Sequence, residues 1–160
     1  MGITMDEGTP LVLVVENDDR WRADYLEWLT EEGYRLIGAA NGLEGLEFTR
    51  MYRPGLIVMN LDLPGLDGWE TARILRRDPV LSSIKILALT SRFAKTRDRD
   101  GRSAGCDSAL RSPVARGLLF STVRRFLPLH PPESLARVKI GAVADAESPR
   151  AWWAAGRKRA

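Results

Sequence analysis

The sequence contains little of what disulfides, metal clusters and membrane spans require. Cys106 is the single cysteine and His130 the single histidine among 160 residues. No internal disulfide can therefore form, and no Cys/His metal site can be assembled. No run of about 18 apolar residues is present for a membrane span, and residues 1–7 lack the basic and then apolar pattern of a signal peptide. We expect a cytoplasmic protein in which Cys106 is a small packed residue.

Most of the chain carries equal numbers of basic and acidic side chains. The formal net charge is +3, yet residues 1–128 carry 18 basic and 18 acidic side chains, so the excess lies in residues 129–160. A hydrophobic content of 44% suits one compact domain of about 120 residues with a tail. We predict a flexible N-terminus at 1–9, a domain at 10–127, and a Pro-rich linker with a basic, Trp-containing tail at 128–160.

Strand and helix patterns alternate along the domain without internal repeats. Short apolar runs predict five strands, at residues 11–16, 34–39, 55–60, 84–89 and 107–111. Segments with helical spacing lie between them and after the last strand. Residues 92–104 have almost no apolar stripe, so we expect a frayed or irregular fourth helix there. Apolar positions with helical spacing mark the first helix at Trp21, Tyr25, Trp28 and Leu29 and the second at Leu43, Leu46, Phe48 and Met51, and we expect at least one of the two tryptophans in the core. In the last helix the spacing assigns five residues to the core face: Val114, Leu118, Leu119, Val123 and Phe126.

This alternation predicts a parallel sheet with helices on both faces, joined by right-handed crossovers. In such sheets a functional site lies outside the carboxyl ends of the strands. Six polar residues are expected there and form the candidate pocket: Glu16, Asn17, Asn60, Asp62, Thr90 and Ser112.

The chain resembles the receiver domain of bacterial two-component response regulators. The stretches that carry the resemblance are residues 13–18, 54–68, 86–91 and 112–113, which have the expected order and spacing within residues 10–127. The resemblance implies a (βα)5 flavodoxin-like fold with a five-stranded sheet in the order 2-1-3-4-5. It also implies a part in phosphorelay-type signal transduction.

The resemblance also shows where this chain departs from the family pattern. Asn60 stands in place of the aspartate that is phosphorylated, and an amide oxygen is a poor nucleophile for that reaction. Asn17 replaces the main Mg²⁺ ligand, while Glu16 retains the second carboxylate of the pair. With Glu16 and at most Asp62 left as carboxylate ligands, we expect Mg²⁺ binding to be weak or absent. We expect no catalytic residue and no enzymatic activity.

The positions that contact and sense the phosphoryl group have changed as well. Ser112 matches the lysine of the family and Ala109 matches its aromatic switch residue, whereas Thr90 retains the switch hydroxyl. Losses at several positions together indicate a degenerate receiver domain. With an amide at position 60, we interpret Thr90 as a strand-end residue with local hydrogen bonds.

A conventional response regulator with a displaced acceptor is the main alternative. Asp62 or Glu16 would then take the phosphoryl group. A shift of two residues along an extended segment moves Asp62 by about 6 to 7 Å, too far for the usual geometry. We therefore interpret Asp62 as a solvated turn residue.

Protein contact is the predicted mode of action. The expected partner is a histidine kinase or another regulator, bound by the face of the fourth helix, fifth strand and fifth helix, and a homodimer is also compatible with the resemblance. The tail contains Trp152 and Trp153 before a basic end, which suits either an adaptor for nucleic acid or a membrane surface, or a disordered or folded-back segment. We expect the 32 residues from 129 to 160 to be too few for a DNA-reading domain.

Overall fold

The computed structural model describes residues 8–91 and 104–129. The predicted fourth helix at 92–104 lies, except for its last residue, outside these ranges, as do most of the N-terminus and of the tail. Nine elements follow each other along the described chain: β1 (Leu11–Val15), α1 (Asp19–Glu31), β2 (Arg35–Ala39), α2 (Gly42–Tyr52), β3 (Leu56–Asn60), α3 (Gly68–Arg77), β4 (Lys85–Thr90), β5 (Ser108–Arg111) and α4 (Arg116–Phe126).

All strand pairs in the sheet are parallel, and the strand order is β2-β1-β3-β4-β5. This confirms the predicted fold and its strand order. Each strand begins and ends within one or two residues of the position that the apolar runs predicted. No helix in residues 8–91 or 104–129 is long and apolar enough to cross a membrane.

The inner strands are buried on both faces. Side chains alternate across a strand, so Leu56 and Val58 of β3 face one helical layer while Ile57 and Met59 face the other. The first layer contains α1 and α4, and the second contains α2 and α3. Helices on both faces are what a parallel sheet of such apolar strands needs to exclude water.

Polar side chains fix the starts of three helices just beyond the strands. Asp18 accepts hydrogen bonds from the backbone N–H groups of Arg20 and Trp21, and Asn41 and Asp67 cap α2 and α3 in the same way. Each cap satisfies N–H groups that have no partner within the helix. The caps therefore determine where the chain turns at the carboxyl edge of the sheet.

One predicted core position is exposed. Leu118 is 50% exposed, so its assignment to the core face was wrong, and Leu43 and Met51, two apolar positions of α2, are 60% and 68% exposed. In α2 the buried side includes Gly45, whose lack of a side chain lets the helix approach Val15 closely. The two tryptophans of α1 are half-buried and pack around the buried ring of Tyr25, so they contact the core without being fully buried in it.

One arginine organises the end of the sheet opposite to the candidate pocket. The guanidinium of Arg76 donates to the carbonyl oxygens of Gly105, Ser82 and Ile84 at 2.6 to 2.8 Å, and to the carboxylate of Asp107 at 2.8 Å. These groups lie before β4 and β5, where the chain has no regular ladder to satisfy its carbonyls. Sequence periodicity assigned no role to this side chain.

A buried tyrosine ties the end of α4 to the start of β2. The hydroxyl of Tyr34 donates to the carbonyl of Leu127 at 2.8 Å, and burial raises the pKa of Tyr34 to about 12, with Arg124 acting to lower it and Glu32 to raise it. In the unfolded chain the same hydroxyl has a pKa near 10.

We expect stability to fall between pH 10 and pH 12 because of Tyr34. Above pH 10 the unfolded state releases this proton and the folded state does not, so unfolding becomes easier. From pH 9 to pH 11.5 the loss due to Tyr34 should be roughly 2 kcal/mol. Urea denaturation at both pH values measures it, and Tyr34→Phe should lose less with pH. An equal loss in both proteins would contradict the assignment.

Gly68 holds the first turn of α3 against the end of β3. A Cβ added there would lie 2.3 Å from the carbonyl oxygen of Asn60 and 2.6 Å from the Cα of Leu61. Backbone atoms cannot move aside as a flexible side chain can, so we expect Gly68→Ala to destabilise the fold by about 1 to 3 kcal/mol. Gly117 is the matched control, since it is exposed in α4 and a Cβ there would meet nothing within 4 Å.

The same alanine substitution should therefore have opposite signs at the two positions. Gly117→Ala is expected to stabilise α4 by about 0.5 to 1 kcal/mol, because alanine loses less backbone entropy than glycine in a helix. Urea denaturation of both variants checks this. Equal effects of the two substitutions would show that the contact at Gly68 is relaxed at little cost.

Candidate functional site

The carboxyl ends of β1, β3 and β4 bring together most of the predicted pocket. Glu16 and Asn17 follow β1, Asn60 ends β3, and Thr90 ends β4. These three strands are neighbours in the sheet, so their ends meet at one edge. Asp62 joins them from the turn that follows β3.

The side-chain amide of Asn60 connects β1 to the turn after β3. Its Nδ2 donates to Glu16 Oε1 and Oε2 at 3.1 and 3.2 Å and lies 3.5 Å from Asn17 Oδ1. Its Oδ1 accepts from the backbone N–H of Asp62 at 2.8 Å. These partners define the orientation of the amide, since a carboxylate only accepts hydrogen bonds and an N–H only donates.

Glu16 is a carboxylate buried to 2% exposure. Besides the amide of Asn60 it accepts from the backbone N–H of Asp18 at 3.0 Å. Arg22 donates to the backbone carbonyl of the same residue at 2.8 Å. A buried charge is tolerated only when such donors compensate for lost water. The amide at position 60 therefore supplies donors that Glu16 needs.

The carboxylate of Asp62 is held by the end of β4. Its Oδ2 accepts from Thr90 Oγ1 at 3.3 Å, from the backbone N–H of Ser91 at 3.0 Å and from Ser91 Oγ at 2.8 Å. The interpretation of Asp62 as a solvated turn residue was therefore wrong, since its side chain is half-buried and bonded. Thr90, for which we expected local hydrogen bonds, also donates to a residue 28 positions earlier in the chain.

Ser91 is a site residue that the sequence reasoning missed. Within the described residues it supplies two of the three hydrogen bonds that end on Oδ2 of Asp62. The signal was a second hydroxyl directly after Thr90 at a strand end. The predicted pocket is thus divided into two linked parts. Glu16, Asn17 and the amide of Asn60 form one, and Asp62 with the end of β4 forms the other.

Ala109 and Ser112 serve packing and strand pairing. Ala109 pairs with Ala88 across β4 and β5 and packs against the core layer of α2 and α3. The backbone N–H of Ser112 donates to the carbonyl of Thr90 at 3.0 Å, and its side chain hydrogen-bonds with Tyr25. Burial raises the pKa of Tyr25, and the bond to Ser112 offsets part of that rise. The structure thus places the Ser112 side chain against α1.

A comparison with protein families decides the identity of this fold. The model of the response regulator receiver domain matches residues 12–124. This chain belongs to that family. Its members are the receiver domains of two-component signalling, and they interact with histidine kinases or other signalling proteins.

The relatives of this receiver domain include regulators of different length. AfsQ1, a transcriptional regulatory protein of Streptomyces coelicolor, is 34% identical over 134 residues, which cover 84% of this chain and 58% of AfsQ1. The chain thus spans little more than half of AfsQ1. DivK, a polar-differentiation response regulator of Brucella anthropi, is 29% identical over 116 residues, covering 72% of this chain and 94% of DivK.

A solved structure extends the comparison to the site. The receiver domain of the sensor histidine kinase PA1611 from Pseudomonas aeruginosa is 28% identical, with a TM-score of 0.67, over 74% of this chain and 97% of that one. The PA1611 domain has a magnesium ion coordinated in its active-site cleft.

The carboxylate oxygens of the present receiver domain are not arranged to bind such an ion. Both Oε atoms of Glu16 face the amide nitrogen of Asn60, and Oδ2 of Asp62 faces the donors of β4. Within residues 8–91 and 104–129, no three His, Cys, Asp or Glu side chains come together as a metal site. Mg²⁺ requires oxygen ligands in octahedral geometry, so we assign no metal-dependent step to this site.

An aspartate at position 60 should destabilise this receiver domain in a pH-dependent way. Asn60→Asp replaces the amide donor of Glu16 by a second carboxylate, and two carboxylates at this distance ionise together only at raised pH. The penalty is absent at low pH, where the pair shares a proton, and grows as the pH rises. At pH 8 without divalent cations we expect a loss of about 1 to 3 kcal/mol.

Urea denaturation at pH 4.5 and pH 8 measures this loss. The double variant Glu16→Gln/Asn60→Asp is the control, because it removes the repulsion while it keeps the new aspartate. A loss that is the same at both pH values, or that persists in the double variant, would show that repulsion from Glu16 is not its cause.

Proposed function

We propose that this receiver domain acts in two-component signalling by protein contact, without phosphorylation at position 60. The observation that carries the proposal is the amide of Asn60, hydrogen-bonded on one side to Glu16 and on the other to the backbone of Asp62. The domain is accordingly a binding module and not an autophosphorylating switch.

The chemistry of the Asn60 side chain supports this proposal. Phosphoryl transfer needs a nucleophilic oxygen that is free to approach phosphorus, and an amide oxygen is a weak nucleophile. Here that oxygen also accepts the N–H of Asp62 at 2.8 Å. The buried carboxylate of Glu16 lies on the other side of the amide, and its negative charge opposes the approach of an anionic phosphoryl donor.

Asp62 is the alternative acceptor, and its position near Asn60 is the reason to keep it as a second candidate. Its Oδ2 is engaged by Thr90 and by both donors of Ser91. Attack through this oxygen would require these three bonds to break. A role of the tail as an adaptor for nucleic acid or membrane concerns residues outside the described ranges.

The proposed docking face contains β5 and α4 together with the segment 92–103, which lies outside the described residues. β5 is an edge strand of the described sheet, and Leu118 of α4, the helix that follows β5, is a half-exposed apolar side chain. An edge strand and an exposed apolar side chain each suit a protein partner. The partner we propose is a histidine kinase or another regulator, or a second copy of this chain.

Incubation of the purified protein with acetyl phosphate and Mg²⁺, followed by intact-mass measurement, tests the proposal. We expect no phosphoryl adduct, because no acceptor oxygen is free at position 60. A receiver domain that retains the aspartate must become labelled in the same mixture. A stable adduct on the wild-type protein would refute the proposal. If that adduct were absent from Asp62→Ala but present on Asp67→Ala, Asp62 would be identified as the acceptor.

A further inference from the structure

Three hydrogen-bond donors at the end of β4 converge on a single oxygen. The hydroxyl of Thr90, the backbone N–H of Ser91 and the hydroxyl of Ser91 all donate to Oδ2 of Asp62, at 3.3, 3.0 and 2.8 Å. Such convergence of N–H and O–H groups on one position is how proteins bind an oxyanion. In this chain the oxyanion is part of the protein.

The geometry points to Asp62 as an internal ligand of this donor cluster. We propose that its carboxylate occupies an oxyanion site at the end of β4, so that this end adopts its bound arrangement without any external anion. The inference rests on the proposed function and deepens it, since it names what sets the state of the domain in the absence of phosphorylation.

The position of Asp62 explains how such a ligand is held. Its backbone N–H donates to Oδ1 of Asn60 at 2.8 Å, so the residue is fixed from its main chain while its side chain reaches β4. Leu61 and Leu63 on either side are buried, and the N–H of Leu61 donates to the carbonyl of Leu89 at 2.8 Å. An anchored residue loses little further entropy when its side chain binds.

The environment of the donors also favours this interpretation. Thr90 is fully buried, so water does not compete for the hydrogen bond that its hydroxyl donates to Asp62. The carboxylate of Asp62 is half-buried, so its charge is less screened than that of a surface residue. The link joins two turns that are remote in sequence, after β3 and after β4, and therefore couples the conformation of one to that of the other.

Removal of the carboxylate should open the site to an external oxyanion. In Asp62→Ala the two donors of Ser91 lose their acceptor, and inorganic phosphate offers oxygens of the same kind. We expect the backbone amide of Ser91 to exchange its hydrogen about 10 to 100 times faster in the variant. We also expect its NMR resonance to shift saturably with phosphate in the variant and not in the wild type.

The experiment uses the full chain, with potassium chloride at matched ionic strength in place of phosphate as the reference. Glu47→Ala is the control variant, because it removes one negative charge from an exposed site on α2. Asp62→Asn keeps an acceptor oxygen without the charge and should fall between wild type and Asp62→Ala in both readouts. This conservative variant also keeps the test available if Asp62→Ala does not fold.

The outcomes separate this inference from the proposed function. A saturable phosphate response confined to the Asp62 variants supports the internal ligand. Equal responses in wild type and Asp62→Ala overturn it, as does an unchanged exchange rate of Ser91. Faster exchange without any phosphate response overturns the oxyanion site. An acetyl phosphate adduct on the wild type would refute the proposed function without altering these readouts.

Discussion

The burial of the inner strands on both faces is the constraint on which the rest of this structure depends. Leu56 to Met59 of β3 are at most 1% exposed, so polar chemistry is excluded from the length of the strand. Polar side chains can enter the sheet only where strands end. This places Glu16, Asn60 and Thr90 at one edge. Glu16 and Thr90 are buried there, so their polar atoms need partners within the protein.

The two linked networks at this edge follow from that requirement. Glu16 needs donors, and the amide of Asn60 with the N–H of Asp18 provides them. Thr90 needs an acceptor, and Asp62 provides it. The short segment from Asn60 to Asp62 thus connects the ends of β1, β3 and β4. A signalling domain switches when an input favours one of two arrangements, and our proposal is that internal groups of this chain occupy the positions where an input would act.

Much of this was accessible from sequence because the relevant signals are local. Three local features indicate the parallel sheet and the carboxyl edge that carries the site. They are the apolar runs of the strands, the helix caps Asp18 and Asp67, and the order of the elements. The resemblance to receiver domains added the strand order and identified Asn60 as the departure that matters. The prediction failed at Leu118, which fits an apolar helical spacing but is half exposed, while Leu119 and Val123 take the buried side of α4. In α2 the buried side is formed by Gly45 and Leu46, and Leu43 and Met51 are exposed.

The sequence by itself indicated the alternation of strands and helices and the residue types at the carboxyl edge, because these depend on periodicity, capping and motif spacing. Its resemblance to receiver domains supplied the family and the strand order. Only the tertiary structure decided which partners those residues take. The bond of Asp62 to Ser91 spans 29 residues and that of Asn60 to Glu16 spans 44, and no local pattern encodes such pairs. The same is true of Arg76, whose guanidinium serves carbonyls and a carboxylate up to 31 residues away. These contacts arise when the sheet aligns the strand ends, and geometry at that edge then selects one hydrogen-bond partner among several.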